Sequence, residues 1–339
     1  MRVIYAPAVG LAFALACADD PNGPRSDRAP AGVDTADSGD PIVDADGDGF
    51  LSDEDCDDQD PDVTPLTEIW VPAGPFTRGD DQQSPDQSPM REITLSAYCL
   101  DVLEVSNAQF VTYLDAQAAA GLPNQDDDGR DLYDFEDDDD EVPARIVDQG
   151  DGTYASTDGY ADHPVVEVYH WAAAAYCASR GQALPTEAQW EKAARGTESP
   201  AFPWGDAAPD CTLGNLRPGP EGVSPDGETV EPCVGDTVAT GSYPSAPGPY
   251  GHLDLAGNAA EFVHDWYRDD YYASSDDTDP MGPETGWSDN LPGGGAEARL
   301  TRGGSFATGD FALTPSFRYV EPADATSNGV GFRCARALD

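Results

Sequence analysis

The chain has 339 residues and carries 17 Lys+Arg against 65 Asp+Glu, a formal net charge of −48 at pH 7. A surface this acidic repels nucleic-acid phosphates and anionic lipid headgroups, which excludes nucleic acid as a partner and leaves membrane contact only to an attached lipid. Apolar residues at 39% supply material for a core, while Gly 35 and Pro 30 point to turns and irregular loops rather than long helices.

The opening stretch, MRVIYAPAVGLAFALA, has one Arg and then an apolar run ending in small residues. It is too short to span a bilayer and reads as a secretory signal peptide over residues 1–16. Ala14-Leu15-Ala16 fits a cleavage site, and Cys17 follows it, as in a bacterial lipobox where the thiol takes a lipid. The expected location is therefore the bacterial cell envelope, as an exported, lipid-anchored protein, with plain secretion as the alternative. Removing Cys17 leaves Cys56, Cys99, Cys177, Cys211, Cys233 and Cys334. Six cysteines in an oxidising compartment suit three disulfides, with 15 connectivities open on spacing alone.

Residues 17–43, rich in Asp, Pro, Gly and Ser, offer little to bury and read as a disordered tether. DADGDGFLSDEDC follows, and its start fits the calcium-loop template D-x-[DN]-x-[DN]-G. Asp44, Asp46 and Asp48 stand at alternate positions, Phe50 offers a carbonyl, and Asp55 is twelfth, an oxygen set of the kind Ca²⁺ takes. Residues 44–66 are thus an acidic calcium-binding segment, without flanking helices.

From Thr67 the pattern changes. EIWVPAGPFTRGD and REITLSAYCLDVLEVS alternate apolar and polar residues like half-buried strands. SNAQFVTYLDAQAAAG predicts a helix with Ser106 as N-cap, Phe110, Val111 and Leu114 on one face and Gly121 beyond its end. VYHWAAAAYCASRG predicts a second, stopped by Gly181, and LPTEAQWEKAARG a third. In the third, Thr186 and Gln189 form a capping box, each side chain satisfying a backbone donor free at the helix start. Between the first two helices the acid run at 124–142 reads as a solvated loop, with a cation at Asp126 and Asp128 as the alternative. Residues 200–339 read as short strands and loops.

The motifs LEVSNAQF, HPVVEVYHWAAAAYC, ALPTEAQWEKAARG, FPWGD, YGHLDLAGNAAEFVHDWY, RGGSF and GFRCAR, in that order, resemble the formylglycine-generating enzyme (sulfatase-modifying factor) family over roughly residues 67–338. The resemblance implies an α+β domain at 67–339 with that family's variant of the C-type lectin fold, low in regular secondary structure. It also implies oxidation of a cysteine in C-x-P-x-R segments by copper and dioxygen, with copper held by two cysteines after the GGS motif. Thiolates suit soft Cu(I). Here those positions are Thr308 and Leu313, so copper is not expected and no catalytic residue is assigned. Ser305 is kept, but the family's Trp is replaced by Ala260.

The resemblance also pairs Cys177 with Cys334; the family's second disulfide falls at Ala194 and Tyr319, where both partners are missing. With that pair placed, Cys211 and Cys233 close a local loop and Cys56 is left for Cys99. One structural calcium site of the family maps to Asp254, Gly257, Ala259 and Glu261, two carboxylates and two backbone carbonyls. The other maps to Asn215 and Leu216, but its remaining positions fall near Pro232 and Val234, where no carboxylate lines up. Structural Ca²⁺ is therefore the expected cofactor.

His163, His170, His252 and His264 provide no evident second metal set, and a Ser305–His264–Asp265 arrangement rests on composition alone. The aromatic residues of the C-terminal third, Trp266 to Tyr319, are expected to be mostly core with some exposed for binding. The expectation is thus a non-catalytic surface binding or scaffolding protein with a protein or glycan ligand. The alternative is an oxidoreductase or protein-modifying enzyme with a different metal site.

Overall fold

In the computed structural model, residues 45–48, 50, 56–57, 59–61, 63–126, 128–135, 144–219, 230–289, 291 and 295–338 are described. Residues 1–41 and 42–339 are separate units, and all described residues belong to the second. The expected signal peptide, Cys17 and the tether lie outside the described residues, as do Asp44 and Asp55. No helix among the described residues is long and apolar enough to cross a membrane.

The architecture is α+β with short elements. Strands β1 (Glu68–Val71), β2 (Gly74–Arg78), β3 (Arg91–Leu95) and β4 (Tyr98–Asp101) come first, then helix α1 (Asn107–Ala119) and the hairpin β5 (Ile146–Asp148) and β6 (Tyr154–Ser156). Helices α2 (His170–Ser179) and α3 (Glu187–Arg195) follow. The C-terminal part has β7 (Ala260–Trp266), the single-turn α4 (Tyr271–Ser274), β8 (Ala298–Arg302), β9 (Tyr319–Pro322), β10 (Val330–Phe332) and β11 (Ala335–Ala337). β1, β4 and β11 form one sheet; β10, β7, β8 and β9 form another, with β10 parallel to β7 and the other pairs antiparallel.

Local chemistry explains the helix ends. Ser106 accepts the Gln109 amide proton while Gln109 returns a bond to the Ser106 amide, and Thr186 and Gln189 do the same for α3. Gly181 adopts φ +71° just after α2, a conformation costly for other residues. The main core sits between α1, α2 and the β10–β7 edge, where Phe110, Tyr176 and Phe332 meet with ring centroids 5.4–6.2 Å apart. A second core lies under β1–β4 and α3.

Three disulfides staple the fold. Cys177–Cys334 ties α2 to the turn between β10 and β11, Cys211–Cys233 closes a loop, and Cys56–Cys99 fastens the acidic segment to β4. Around that last bond Cys56, Val63 and Cys99 pack with Leu338, and Arg336 pairs with Asp57 at 3.0 Å. The end of the acidic segment is therefore built into the domain, inside the boundary drawn at residue 66. The acid run between α1 and α2 begins as a closed turn: Asp126 accepts the amides of Asp128 and Arg130 and pairs with the Arg130 guanidinium.

Candidate functional site

The loop leading into β7 carries the expected calcium residues. Gly257 has φ +83°, and a Cβ on it would lie 2.4 Å from the Asn215 carbonyl oxygen, so only glycine lets these backbones approach. Asn258 then donates its amide to that carbonyl at 2.7 Å. Asp254 and Asn258 also take positive φ, +57° and +59°.

Beneath the loop lies Glu104, buried, accepting from Asn258 Nδ2 at 2.8 Å and from the Ala259 amide at 3.0 Å. Burial, with the charges of Asp254 and Glu261, pushes its carboxyl well above the usual range. Sequence reasoning did not single it out, because its partners come from more than 150 residues away; the one signal was an acid inside the apolar run LEVS. Glu261 is held differently from expectation. Its oxygens accept from Arg333 Nη2 and Nε, both at 2.7 Å, and from Trp190 Nε1 at 2.8 Å. Asp254 Oδ2 accepts the Gly241 amide at 2.6 Å.

This donor set fits a hard cation in kind, being all oxygen and having three carboxylates against one guanidinium. Asp254 and the Gly257 and Ala259 carbonyls would hold it, while Glu261 is shared with Arg333. The second mapped place differs. The Leu216 carbonyl accepts the Cys233 amide at 2.8 Å, and the Cys211–Cys233 disulfide holds the same two segments together. In the acidic segment, Asp46 Oδ1 accepts the Asp48 amide at 3.1 Å and Asp48 Oδ1 accepts the Phe50 amide at 2.8 Å. Oδ2 of both residues is buried without a hydrogen-bond partner, which suits oxygens facing a cation.

The copper position does not fit copper. Gly304 turns the chain with φ +67°, where a Cβ would lie 2.6 Å from Thr308 Oγ1. That hydroxyl accepts the Ser305 amide at 2.9 Å and donates to the Ser305 carbonyl at 3.0 Å. Leu313 is fully buried against Leu216 and Ala256. All six cysteines among the described residues are in disulfides. No thiolate faces this place, and no step through copper can be built here.

Around α3 lies a second buried charge cluster. Glu187 takes Arg318 Nε at 2.7 Å and Nη2 at 3.2 Å, and Glu191 takes Arg302 at 2.7 Å and Arg195 at 2.6 Å. The Tyr272 hydroxyl reaches both carboxylates, at 3.0 and 3.2 Å, and Arg78 stacks on the Tyr272 ring at 3.9 Å. Asp265 accepts the Glu187 amide at the start of α3, at 2.8 Å. Burial first, and the Glu187 charge second, push its pKa up to about 7.

Strand alternation separates the suggested Ser305–His264–Asp265 set: on β7, His264 is exposed and Asp265 buried, so the two leave opposite faces. His252 is fully buried and His163 bonds to Thr237 Oγ1 at 3.0 Å, and neither joins a metal-binding group among the described residues. Of the C-terminal aromatics, Tyr267, Tyr272 and Phe306 are core, whereas Trp287, Phe311 and Tyr319 are exposed.

A family model for the sulfatase-modifying factor enzyme 1-like domain matches residues 55–338. The serine/threonine-protein kinase pkn1 of Chlamydia pneumoniae is 32% identical over 81% of this chain, which spans only 38% of that protein. The formylglycine-generating enzyme of Thermomonospora curvata is 29% identical over 79% of this chain and 92% of its own length. The solved structure of PvdO from Pseudomonas aeruginosa superposes with a TM-score of 0.57 at 23% identity, covering 80% of this chain and 94% of that one, which supports the formylglycine-generating-enzyme variant of the C-type lectin fold. On the extent of the family match and the order of its motifs, the chain belongs to the sulfatase-modifying factor enzyme 1-like domain family.

Proposed function

We propose that the chain is an exported, lipid-anchored member of this family that lacks cysteine-oxidising activity and serves in binding or scaffolding at the bacterial cell surface. Its ligand would be a protein or glycan, and calcium would be structural, at the Asp254 loop and in the acidic segment. The observation that carries the reading is the pair Thr308 and Leu313: a hydroxyl closed into its own turn and an apolar side chain sealed in the core. A copper–dioxygen centre needs soft ligands at those two positions. The kinase relatives also support the reading, since they carry this domain in a protein named for phosphorylation, not cysteine oxidation.

The alternative, a protein-modifying oxidoreductase with another metal site, draws on the near-complete coverage of the Thermomonospora curvata enzyme. One assay decides. The whole chain, loaded with calcium and supplied with copper, is incubated in air with a C-x-P-x-R peptide and the peptide is weighed by mass spectrometry. The expected result is an unmodified thiol from folded protein. Formylglycine would overturn the proposal.

A further inference from the structure

At the Trp266 end of β7, away from the Ser305 turn, a cavity of about 430 Å³ opens between the start of α2, the start of β8 and the residues after β9. This lies within the size range of small-molecule sites. Two indoles line it, Trp171 and Trp266. Trp171 lies flat on Tyr169, with centroids 4.5 Å apart and planes 8° apart, and its Nε1 already donates to the Asp131 carbonyl at 2.7 Å. Trp266 is backed by the Arg299 guanidinium, 3.3 Å from its centroid. Arg299 is itself held by the His264 carbonyl at 3.1 Å. The Arg130 guanidinium also lies over the Trp171 ring, 5.2 Å from its centroid; both rings are thus fixed in place, and the polar edge of Trp171 is already used.

The polar lining is mixed. Glu297 and Asp324 supply acceptors, and Arg299 and Arg130 supply donors. His170 is nearly buried, and its Nε2 lies 2.9 Å from the Val263 carbonyl. A carbonyl only accepts, so Nε2 carries the proton and Nδ1 is the bare nitrogen. Burial, then the Arg299 charge, lower the His170 pKa to about 3, so the ring is neutral at physiological pH.

Glu297 and Asp324 face Arg299 and Arg130, and Arg130 is also paired with Asp126 at 2.6 Å, so the lining has no surplus of positive charge, in a protein of net charge −48. An anionic ligand therefore gains no advantage from this cavity, and a cationic one meets two guanidiniums in its wall. Flat apolar walls flanked by alternating donors and acceptors match a ring that has an apolar face and a hydroxyl rim, because each hydroxyl both donates and accepts.

We propose that this cavity binds a neutral saccharide, one or two sugar rings packed against Trp171 and Trp266 with hydroxyls bonded to Glu297, Asp324 and Arg299. The proposal rests on reading the chain as a binding protein and narrows its ligand to carbohydrate. The test uses the full chain with calcium. Glucose, galactose, mannose, N-acetylglucosamine and their β-1,4-linked disaccharides are titrated, with inorganic phosphate and spermidine as charged probes. Binding is followed by tryptophan fluorescence and saturation-transfer NMR.

At least one sugar should bind saturably, and Trp171→Ala or Trp266→Ala should each weaken it by about tenfold or more. Trp171→Phe and Trp266→Phe, which keep a flat ring, should retain most of the binding if the alanine variants lose it through unfolding. Trp287→Ala, at an exposed ring outside the cavity lining, should change nothing. Absence of sugar binding by folded protein, binding that survives both alanine variants, or preferential binding of a charged probe would each overturn the proposal. None of these outcomes depends on whether the peptide assay yields formylglycine, so the two readings fail separately.

Discussion

The two buried charge clusters share a helix but are balanced in opposite ways. Around Glu187, Glu191 and Asp265, four arginines converge: Arg78, Arg195, Arg302 and Arg318. Around Glu104, Asp254 and Glu261 the one guanidinium among the described residues is Arg333. Trp190 on α3 stands between them, donating to Glu261 from a helix whose Glu187 and Glu191 belong to the other cluster. A buried charge is costly unless paired. The first cluster is satisfied by the chain's own cations, whereas the second has more carboxylates than the protein pairs, which is the condition in which a dissolved cation contributes to stability.

The comparison can be broken most directly at Glu187. Replacing it with Gln leaves Arg318 buried without its partner, and urea unfolding should show a loss of about 3–5 kcal/mol. A loss below about 1 kcal/mol, the range of an exposed pair, would mean that the cluster is open to water. At Asp254 the expectation reverses. Asp254→Asn keeps an oxygen for the Gly241 amide but removes one of the crowded charges, so calcium-free stability should hold or rise. Calcium at a hundredfold excess over its dissociation constant should stabilise the unmodified chain by about 2.7 kcal/mol for each site it fills, and chelation should remove that gain. The gain should shrink in Asp254→Asn. If it persists there but disappears in Asp46→Asn, calcium acts through the acidic segment alone and the carboxylate surplus has another explanation.

How much of this was legible depended on sequence distance. The capping boxes at Ser106 and Thr186 and the stop at Gly181 were readable because each involves residues three or four apart. Strands β2 and β3 were readable from alternation, whereas β4 is buried on both faces and does not alternate. Glu104 was not readable, since its meaning depends on Asn258 and Asp254. Nor was the arginine cluster, whose members at 78, 195, 302 and 318 meet only after folding. The Asp254 loop was placed by resemblance, yet Arg333 on Glu261 was not foreseen: GFRC was noted for its cysteine while its arginine makes the buried pair. Trp171 and Trp266 lie 95 positions apart, and neither has a local pattern that announces a shared cavity.

The smallest expected effect sharpens the comparison through pH. Asp265 and Glu321 are both raised to about 7, Asp265 by burial and then Glu187, Glu321 by burial alone. In the unfolded chain they titrate near 4, so their stabilising contribution is full below that pH and is lost as pH rises through about 7. His170 and His252 run the other way. Burial lowers both to about 3, with Arg299 adding to it for His170 and Arg333 for His252. The unfolded chain gains their protons below about 6.5, so they cost stability as pH falls. Asp265 and Glu321 therefore oppose His170 and His252 between about pH 5 and 6.5, while burial also raises Asp101, Glu104 and Asp254 and lowers His163 and His264. Asp265→Asn removes one member of the stabilising pair, so the variant should lose about 1.4 kcal/mol more per pH unit on acidification across that window. Urea unfolding of both proteins at three pH values checks this. Parallel profiles would mean that Asp265 is ionised throughout, and that the four arginines around it outweigh both its burial and its neighbour Glu187.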